Sequence, residues 1–185
     1  MTVSVTVSAG ARRAPRARRF SAVQLQRGAS LLEGVAYLGI AAIVILGAIS
    51  LLTSAFSSAQ SNRASQELVS IRTAVRKLYM GQGYGTASLN VPLIAAKAFP
   101  GNLAVSGAVV TNAWGGTVTV TGDTNQFTTV YTNVPKDACI NTVSGASGWI
   151  NITGPGTTVD TFPAAVAAAN ALCTGDVNSL TFRSN

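Results

Sequence analysis

The stretch "QLQRGASLLEGVAYLGIAAIVILGAISLL", residues 24–52, decides the fold of the N-terminal part of the chain. It includes the beginning of a run of 29 residues, 34–62, that carries no charged side chain. About 20 apolar residues in a helix cross the hydrocarbon core of a bilayer, so the run predicts a membrane-spanning helix. Glu33 stands directly before this run, where an ionised carboxylate is costly in lipid. The position of Glu33 therefore indicates a specific partner or a processing event.

The positive charge of the chain is concentrated before the apolar run. The sequence has 13 basic and six acidic side chains, which gives a net charge of +7. Six of the basic residues lie within the first 28 positions: Arg12, Arg13, Arg16, Arg18, Arg19 and Arg27. Residues 29–185 carry seven basic and six acidic groups, a net charge of +1, so no nucleic-acid-binding surface is predicted. Arginines ahead of a membrane helix instead predict a cytoplasmic N-terminal side and an exported remainder.

The helical pattern continues beyond the uncharged run. Apolar residues recur at spacings of three and four, on one helical face: Ala64, Leu68, Ile71, Val75 and Leu78. Charged residues are predicted on the other faces: Arg63, Glu67, Arg72, Arg76 and Lys77. One helix is therefore expected over residues 29–80, ended by the glycines at 81, 83 and 85. Its first half is apolar all round, and its second half should pack one stripe against a domain.

The remainder of the chain predicts an antiparallel sheet packed on that stripe, an α+β fold. Strands are expected at 116–122, 126–134, 148–154 and 179–184, the first two forming a hairpin. Short helices are expected at 91–99, 135–144 and 162–173. Cys139 and Cys173 both lie in the exported part, and an even cysteine count there predicts one disulfide.

The sequence offers little for catalysis. It contains no histidine, which excludes Ser-His and Cys-His nucleophiles and histidine metal sites. The acidic residues of the domain form neither a close pair nor a calcium-loop spacing: Asp123, Asp137, Asp160 and Asp176. The glycine-rich "GQGYG" (81–85) follows a helix rather than a strand, which is typical of a helix stop and not of a phosphate loop. We therefore expect no enzyme activity, no cofactor and no metal.

The order of a basic leader, Gly28, "ASLLE" (29–33) and an uncharged helix resembles the type IV prepilins. The long leader narrows the resemblance to the type IVb branch. The stretches "NAWGGTVTV" (112–120), "VPKDACINTV" (134–143) and "GWINITG" (148–154) are similar to the PilS-type thin-pilus pilins. Many pilins have Phe or Met at the position of Ala29, and many type IVa pilins have a proline midway through the apolar run. The alanine at position 29 and the absence of a proline from the apolar run of this chain both favour type IVb.

The resemblance implies how the chain is processed and what it forms. A prepilin peptidase would cut between Gly28 and Ala29 and N-methylate Ala29, which divides the chain into a leader (1–28), an apolar helix (29–56) and a head (57–185, with an amphipathic helix 57–80 and a sheet domain 86–185). The implied partners are further copies of the chain, the peptidase, inner-membrane assembly machinery and an outer-membrane secretin. The precursor would lie in the inner membrane with a periplasmic head. The product would be an extracellular pilus for adhesion, aggregation or mating contact.

Glu33 then has a physical interpretation, because it falls on the glutamate five residues into the mature pilin. In a bundle of apolar helices an ionised carboxylate needs a cation, and no basic side chain occurs in residues 29–62. The new amino group of Ala29 in a neighbouring subunit is the natural partner, and the pair would set axial register. Three alternatives stay open: a pseudopilin of a secretion system, an uncleaved single-span binding protein, and a secreted domain cut near Ser57, Ser58 and Ala59.

Overall fold

The computed structural model describes residues 31–185 of the chain, which divides into two compact units between Val44 and Ile45. Helix α1 (Leu31–Leu78) begins in the first unit and ends in the second. By length and composition, it is the one helix within the described range that could cross a membrane. It ends close to Gly81, whose φ of +81° is favourable only for glycine, so the predicted helix stop is confirmed. Arg76 and Lys77 in its last turn complement the helix dipole.

The second unit is built on a seven-stranded antiparallel sheet with three short helices. The helices are α2 (Asn90–Ala95), α3 (Lys136–Ser144) and α4 (Val166–Leu172). The strands are β1 (Ala104–Ser106), β2 (Val109–Thr111), β3 (Thr117–Asp123), β4 (Gln126–Pro135), β5 (Asn151–Thr153), β6 (Thr158–Val159) and β7 (Val177–Ser184). Their order in the sheet is β1-β2-β3-β4-β7-β5-β6. The predicted α+β fold is therefore confirmed.

The core forms where the second half of α1 packs on this sheet. Alternation along β4 buries Phe127 and Tyr131, and alternation along β7 buries Phe182. The predicted stripe of α1 supplies Leu68, Ile71 and other buried side chains to the same cluster. The β3–β4 hairpin pairs as predicted, with Asp123 opposite Gln126 next to the turn. One face of the helix and one face of the sheet thus close a single apolar core.

Several predicted boundaries are wrong, and the backbone explains two of them. Helix α2 ends at Ala95 rather than at 99, because Lys97 has a left-handed φ of +51°. Helix α4 begins at Val166 rather than at 162, because Ala165 is extended, with φ −62° and ψ 142°. The strand expected over 148–154 is only the three residues of β5. Strands β1, β2 and β6 were not predicted, since two or three residues are too few to show an alternating pattern.

The predicted disulfide is confirmed. Cys139 in α3 is bonded to Cys173, the residue that follows α4, across a sequence separation of 34 residues. Both cysteines are fully buried in the core. The bond therefore joins the two short helices that connect β4 to β5 and β6 to β7.

Candidate assembly site

The first part of α1 leaves its apolar side chains uncovered. Every large apolar side chain in residues 31–56 is more than half exposed, from 56% at Leu52 to 87% at Leu31. A contiguous apolar surface of this extent marks a membrane or protein contact. From Ser61 onward, by contrast, one side of the helix is buried. Residues 31–56 of α1 therefore need a partner for their apolar side chains, whereas the helix from Ser61 onward already packs on the sheet domain.

Glu33 lies in the first turn of α1, where the N-terminal end of the helix dipole favours a carboxylate. The hydroxyl of Tyr37, one turn later, donates a hydrogen bond to Oε1 of Glu33 over 3.3 Å. Gly28 and Ala29, the predicted cleavage and methylation positions, lie outside the described residues. Of the predicted processing and assembly residues, the described part of the chain includes Glu33, which lies on an exposed part of the helix.

The prediction that Glu67 lies on a charged outer face of α1 is wrong, because its side chain is only 4% exposed. The hydroxyl of Tyr131 donates to Oε2 of Glu67 over 3.2 Å, and the side-chain amide of Asn102 donates to Oε1. Burial raises the pKa of Glu67, while these two hydrogen bonds and the charge of Arg63 act in the opposite direction. The signal was present in the sequence: Glu67 is three residues after buried Ala64 and so shares its face.

Arg72 fixes the loop before β5 to the helix. Its guanidinium lies 5.2 Å from the centre of the Trp149 ring and donates to the carbonyl oxygens of Ser147, at 3.1 Å, and Gly148. Gly148 has φ +73°, and a Cβ there would lie 2.5 Å from Nη1 of Arg72. The left-handed φ therefore favours glycine here, and a larger residue would also require the end of the Arg72 side chain to move. Trp149 in turn packs on Phe182, with ring centroids 5.2 Å apart.

Two further polar contacts attach α1 to the head. The Ser57 hydroxyl donates to the carboxylate of Asp137 in α3. Near the other end of the helix, Arg76 donates through Nη2 to the side-chain oxygen of Asn185 over 3.0 Å. Contacts between α1 and the head thus extend from Ser57 to Arg76. No cluster of three His, Cys, Asp or Glu side chains that could hold a metal lies within residues 31–185.

The chain is similar to known pilus proteins. A family model described as "PilS N terminal" matches residues 58–185. The major structural subunit of the bundle-forming pilus of Escherichia coli O127:H6 (strain E2348/69 / EPEC) is 30% identical over 140 residues. The match covers 70% of this chain and 72% of that protein.

Two solved structures share the fold. The type IVb pilin from Salmonella typhi is 26% identical and superposes with a TM-score of 0.56, over 65% of this chain and 98% of that one. TcpA, a type IV pilin from Vibrio cholerae El Tor biotype, has a TM-score of 0.52 over 68% of this chain and 99% of that one. Because TcpA is only 13% identical, its likeness concerns the fold alone. The helix-on-sheet arrangement is thus shared with other chains.

Proposed function

The chain belongs to the PilS family and is a type IVb pilin, and on this premise we propose that a prepilin peptidase matures it by cutting between Gly28 and Ala29. It is a structural subunit of a pilus, a member of a family of filament proteins rather than of enzymes. As a pilin it polymerises into an extracellular filament. The proposed cut removes all six arginines of the leader, which could not be buried in a filament core. We propose adhesion, aggregation or mating contact as the roles of the fibre.

Before assembly, we propose that the chain is an inner-membrane precursor with residues 1–28 in the cytoplasm and a periplasmic head of residues 57–185. Residues 29–56 would be the lipid-embedded part, which is supported by the exposed apolar surface of α1 over residues 31–56. Inner-membrane assembly machinery would then extract the subunit, and an outer-membrane secretin would let the fibre leave the cell. Extraction exchanges the lipid around this surface for the helices of other subunits.

The observation that carries the assembly proposal is the position of Glu33 at the start of this uncovered helix. When helices bundle around it, water leaves, and the ionised carboxylate requires a charge partner. We propose that the methylated ammonium of Ala29 in a neighbouring subunit fills this role. The hydrogen bond from Tyr37 orients the carboxylate. The pair would fix the axial offset between subunits, as single buried polar groups fix register in coiled coils.

Analysis of the N-terminus of fibre subunits tests the proposal. Fibres are sheared from cells, the subunit is purified, and its N-terminal peptide is examined by mass spectrometry. We expect a peptide that begins at Ala29 with one methyl group on its amine. A subunit that begins at Met1 would show that assembly does not need cleavage, and one that begins at Gln60 would show removal of the apolar helix.

A further inference from the structure

Tyr37 stands in a stretch of sequence that is otherwise apolar. Apart from this tyrosine, residues 34–49 are glycine, alanine, valine, leucine and isoleucine, whose side chains form no hydrogen bonds. The Tyr37 side chain is 65% exposed on α1. When other helices cover this part of α1, the phenol hydroxyl is buried with it, and burial of a hydroxyl costs free energy unless it has a hydrogen-bond partner. Tyr37 therefore needs a polar partner in the filament, as Glu33 does.

The helix brings Tyr37 to Glu33. The two residues are four positions apart, and side chains at this spacing are neighbours on one face of a helix. Side chains on a helix lean toward its N-terminus, so the phenol ring reaches back over the preceding turn. Its hydroxyl donates to Oε1 of Glu33 over 3.3 Å, and both side chains are exposed. The two polar side chains thus form one polar unit within a single subunit.

The Glu33 carboxylate can accept from Tyr37 and bind a cation at the same time. An ionised carboxylate has about four acceptor sites, and the hydroxyl uses one of them. A buried ion pair is favourable only when further hydrogen bonds satisfy its remaining lone pairs. Water can supply such bonds while the helix is exposed, but it leaves when helices bundle. The hydroxyl of Tyr37 is carried on the same helix and stays with the carboxylate.

The bond from Tyr37 also exists before a neighbouring subunit arrives, because both residues belong to one helix. A free glutamate side chain samples many rotamers, and restricting it opposes association by lowering its conformational entropy. A tyrosine has only two side-chain torsions to restrict. The hydrogen bond therefore prepares the carboxylate for the ion pair at a small entropic cost.

We propose that Tyr37 is a positioning residue for filament assembly, whose donated hydrogen bond holds the Glu33 carboxylate toward the ammonium of Ala29 in a neighbouring subunit. The inference rests on the proposed pairing of Glu33 with Ala29 and adds a second residue to that site. A simpler role for Tyr37 would be that of an aromatic anchor at the membrane interface, where tyrosine is enriched. An anchor needs the ring, whereas positioning needs the proton of the hydroxyl.

Removal of the hydroxyl tests the proposal in cells. We expect Tyr37→Phe to yield about tenfold less sheared fibre at an unchanged level of cleaved subunit, because a hydrogen bond to a charged group is lost. Thr53→Val is the matched control. It also removes an exposed hydroxyl from α1, but this hydroxyl donates to the backbone carbonyl of Ile49 over 2.9 Å. We expect wild-type fibre yield from the control.

Two tyrosine analogues, introduced at position 37 by stop-codon suppression, separate the proton from the ring. p-Aminophenylalanine keeps a donor at the end of the ring and should restore fibre yield to within about twofold of the wild type. p-Methoxyphenylalanine keeps the ring and the oxygen but cannot donate, so it should be as deficient as Tyr37→Phe. Wild-type yield from Tyr37→Phe or from the methoxy analogue would overturn the proposal. Failure of the amino analogue to exceed Tyr37→Phe would overturn it as well.

A double variant shows whether Tyr37 acts through Glu33. Each variant is co-expressed with the wild type, and its share of the subunits in mixed fibres is measured by mass spectrometry. Glu33→Ala/Tyr37→Phe should enter the fibres at least as often as Glu33→Ala, because the hydroxyl has no role once its acceptor is gone. Poorer entry of the double variant would overturn the proposal. Deficient Glu33→Ala with normal Tyr37→Phe would refute this inference alone, whereas normal fibres from Glu33→Ala would refute the ion pair and this inference with it.

Discussion

The hydroxyl of Tyr131 donates a hydrogen bond to Glu67 over 3.2 Å, between α1 and the middle of β4. Both side chains are buried, with exposed fractions of 1% and 4%. Glu67 also accepts a hydrogen bond from Asn102. It therefore links the helix, the sheet and the segment before β1 at one point. The polar groups at this point have partners, but a negative charge there is disfavoured, so the stability of the head should depend on pH.

We expect Glu67→Gln to stabilise the head at neutral pH. Burial raises the pKa of Glu67 above its ordinary value of 4.5, so the folded chain binds this proton more tightly than the unfolded chain. The stability contributed by Glu67 is therefore complete below about pH 4.5 and is lost as the pH rises through the folded pKa. The variant should lose this dependence. Thermal melting of both chains from pH 4 to pH 8 measures it.

Tyr131→Phe is the control for this prediction. It keeps the ring in the core but removes the donor to Oε2, so a buried acceptor loses a partner. We expect a loss of about 1–3 kcal/mol in the free energy of unfolding at neutral pH, and a smaller loss at low pH. If Glu67→Gln melts below the wild type at neutral pH, the carboxylate is stabilising in its ionised form and the argument is wrong.

For Glu33 we expect an assembly defect without a processing defect. Glu33→Ala keeps the proposed cleavage site and the apolar run, so the chain should be inserted and cut. It should polymerise poorly, because each Ala29 amine would be buried without its carboxylate, a loss of roughly 3–5 kcal/mol per subunit. Sheared fibre is measured against total cleaved subunit.

Glu33→Gln separates charge from hydrogen bonding at the same position. It keeps the shape of the side chain and an acceptor for Tyr37, but it removes the negative charge. If the ion pair is what matters, Glu33→Gln should therefore resemble Glu33→Ala. Wild-type fibre yield from both variants would refute the role of Glu33 in register, although the chain would remain a pilin. Co-expression with the wild type should allow mixed fibres, because the Ala29 amine of the variant can still meet a wild-type Glu33.

Processing should precede assembly. Gly28→Phe places a bulky side chain at the proposed scissile bond and should leave the full-length chain in the inner membrane without fibres. Immunoblotting of membrane and sheared fractions distinguishes the two forms by size. Ala29→Phe is a useful counterpart, since many pilins carry phenylalanine there, and it should be cleaved. Normal fibres built from a verified uncleaved Gly28→Phe chain would contradict the order of events.

We expect the disulfide to be required for a stable pool of pilin subunits. Replacing Cys139 and Cys173 together by serine removes the bond between α3 and the end of α4 and should destabilise the head by about 2–5 kcal/mol. Fibre yield should fall because the subunit is degraded before assembly. Mass spectrometry of unreduced wild-type material provides the check on the bond itself, and two free thiols there would contradict it.

Elements that depend on neighbouring residues could be predicted from the sequence. The uncharged run indicated a membrane-length helix, the glycines after Met80 indicated its end, and "DTN" at 123–125 indicated the β3–β4 hairpin. The disulfide followed from a count of two cysteines in an exported domain. The helix, its end and the hairpin are local features, because helix period, strand alternation and turn chemistry act over a few residues.

The hydrogen-bond partners of Glu67 and the pairing of the short strands were decided only by the tertiary structure. Glu67 is charged, and only the arrival of Tyr131 and Asn102 from distant positions makes its burial tolerable. Strands β1, β2 and β6 have two or three residues each and exist because the sheet supplies their hydrogen-bond partners. Such contacts depend on chain closure over long separations, which no local pattern in the sequence encodes.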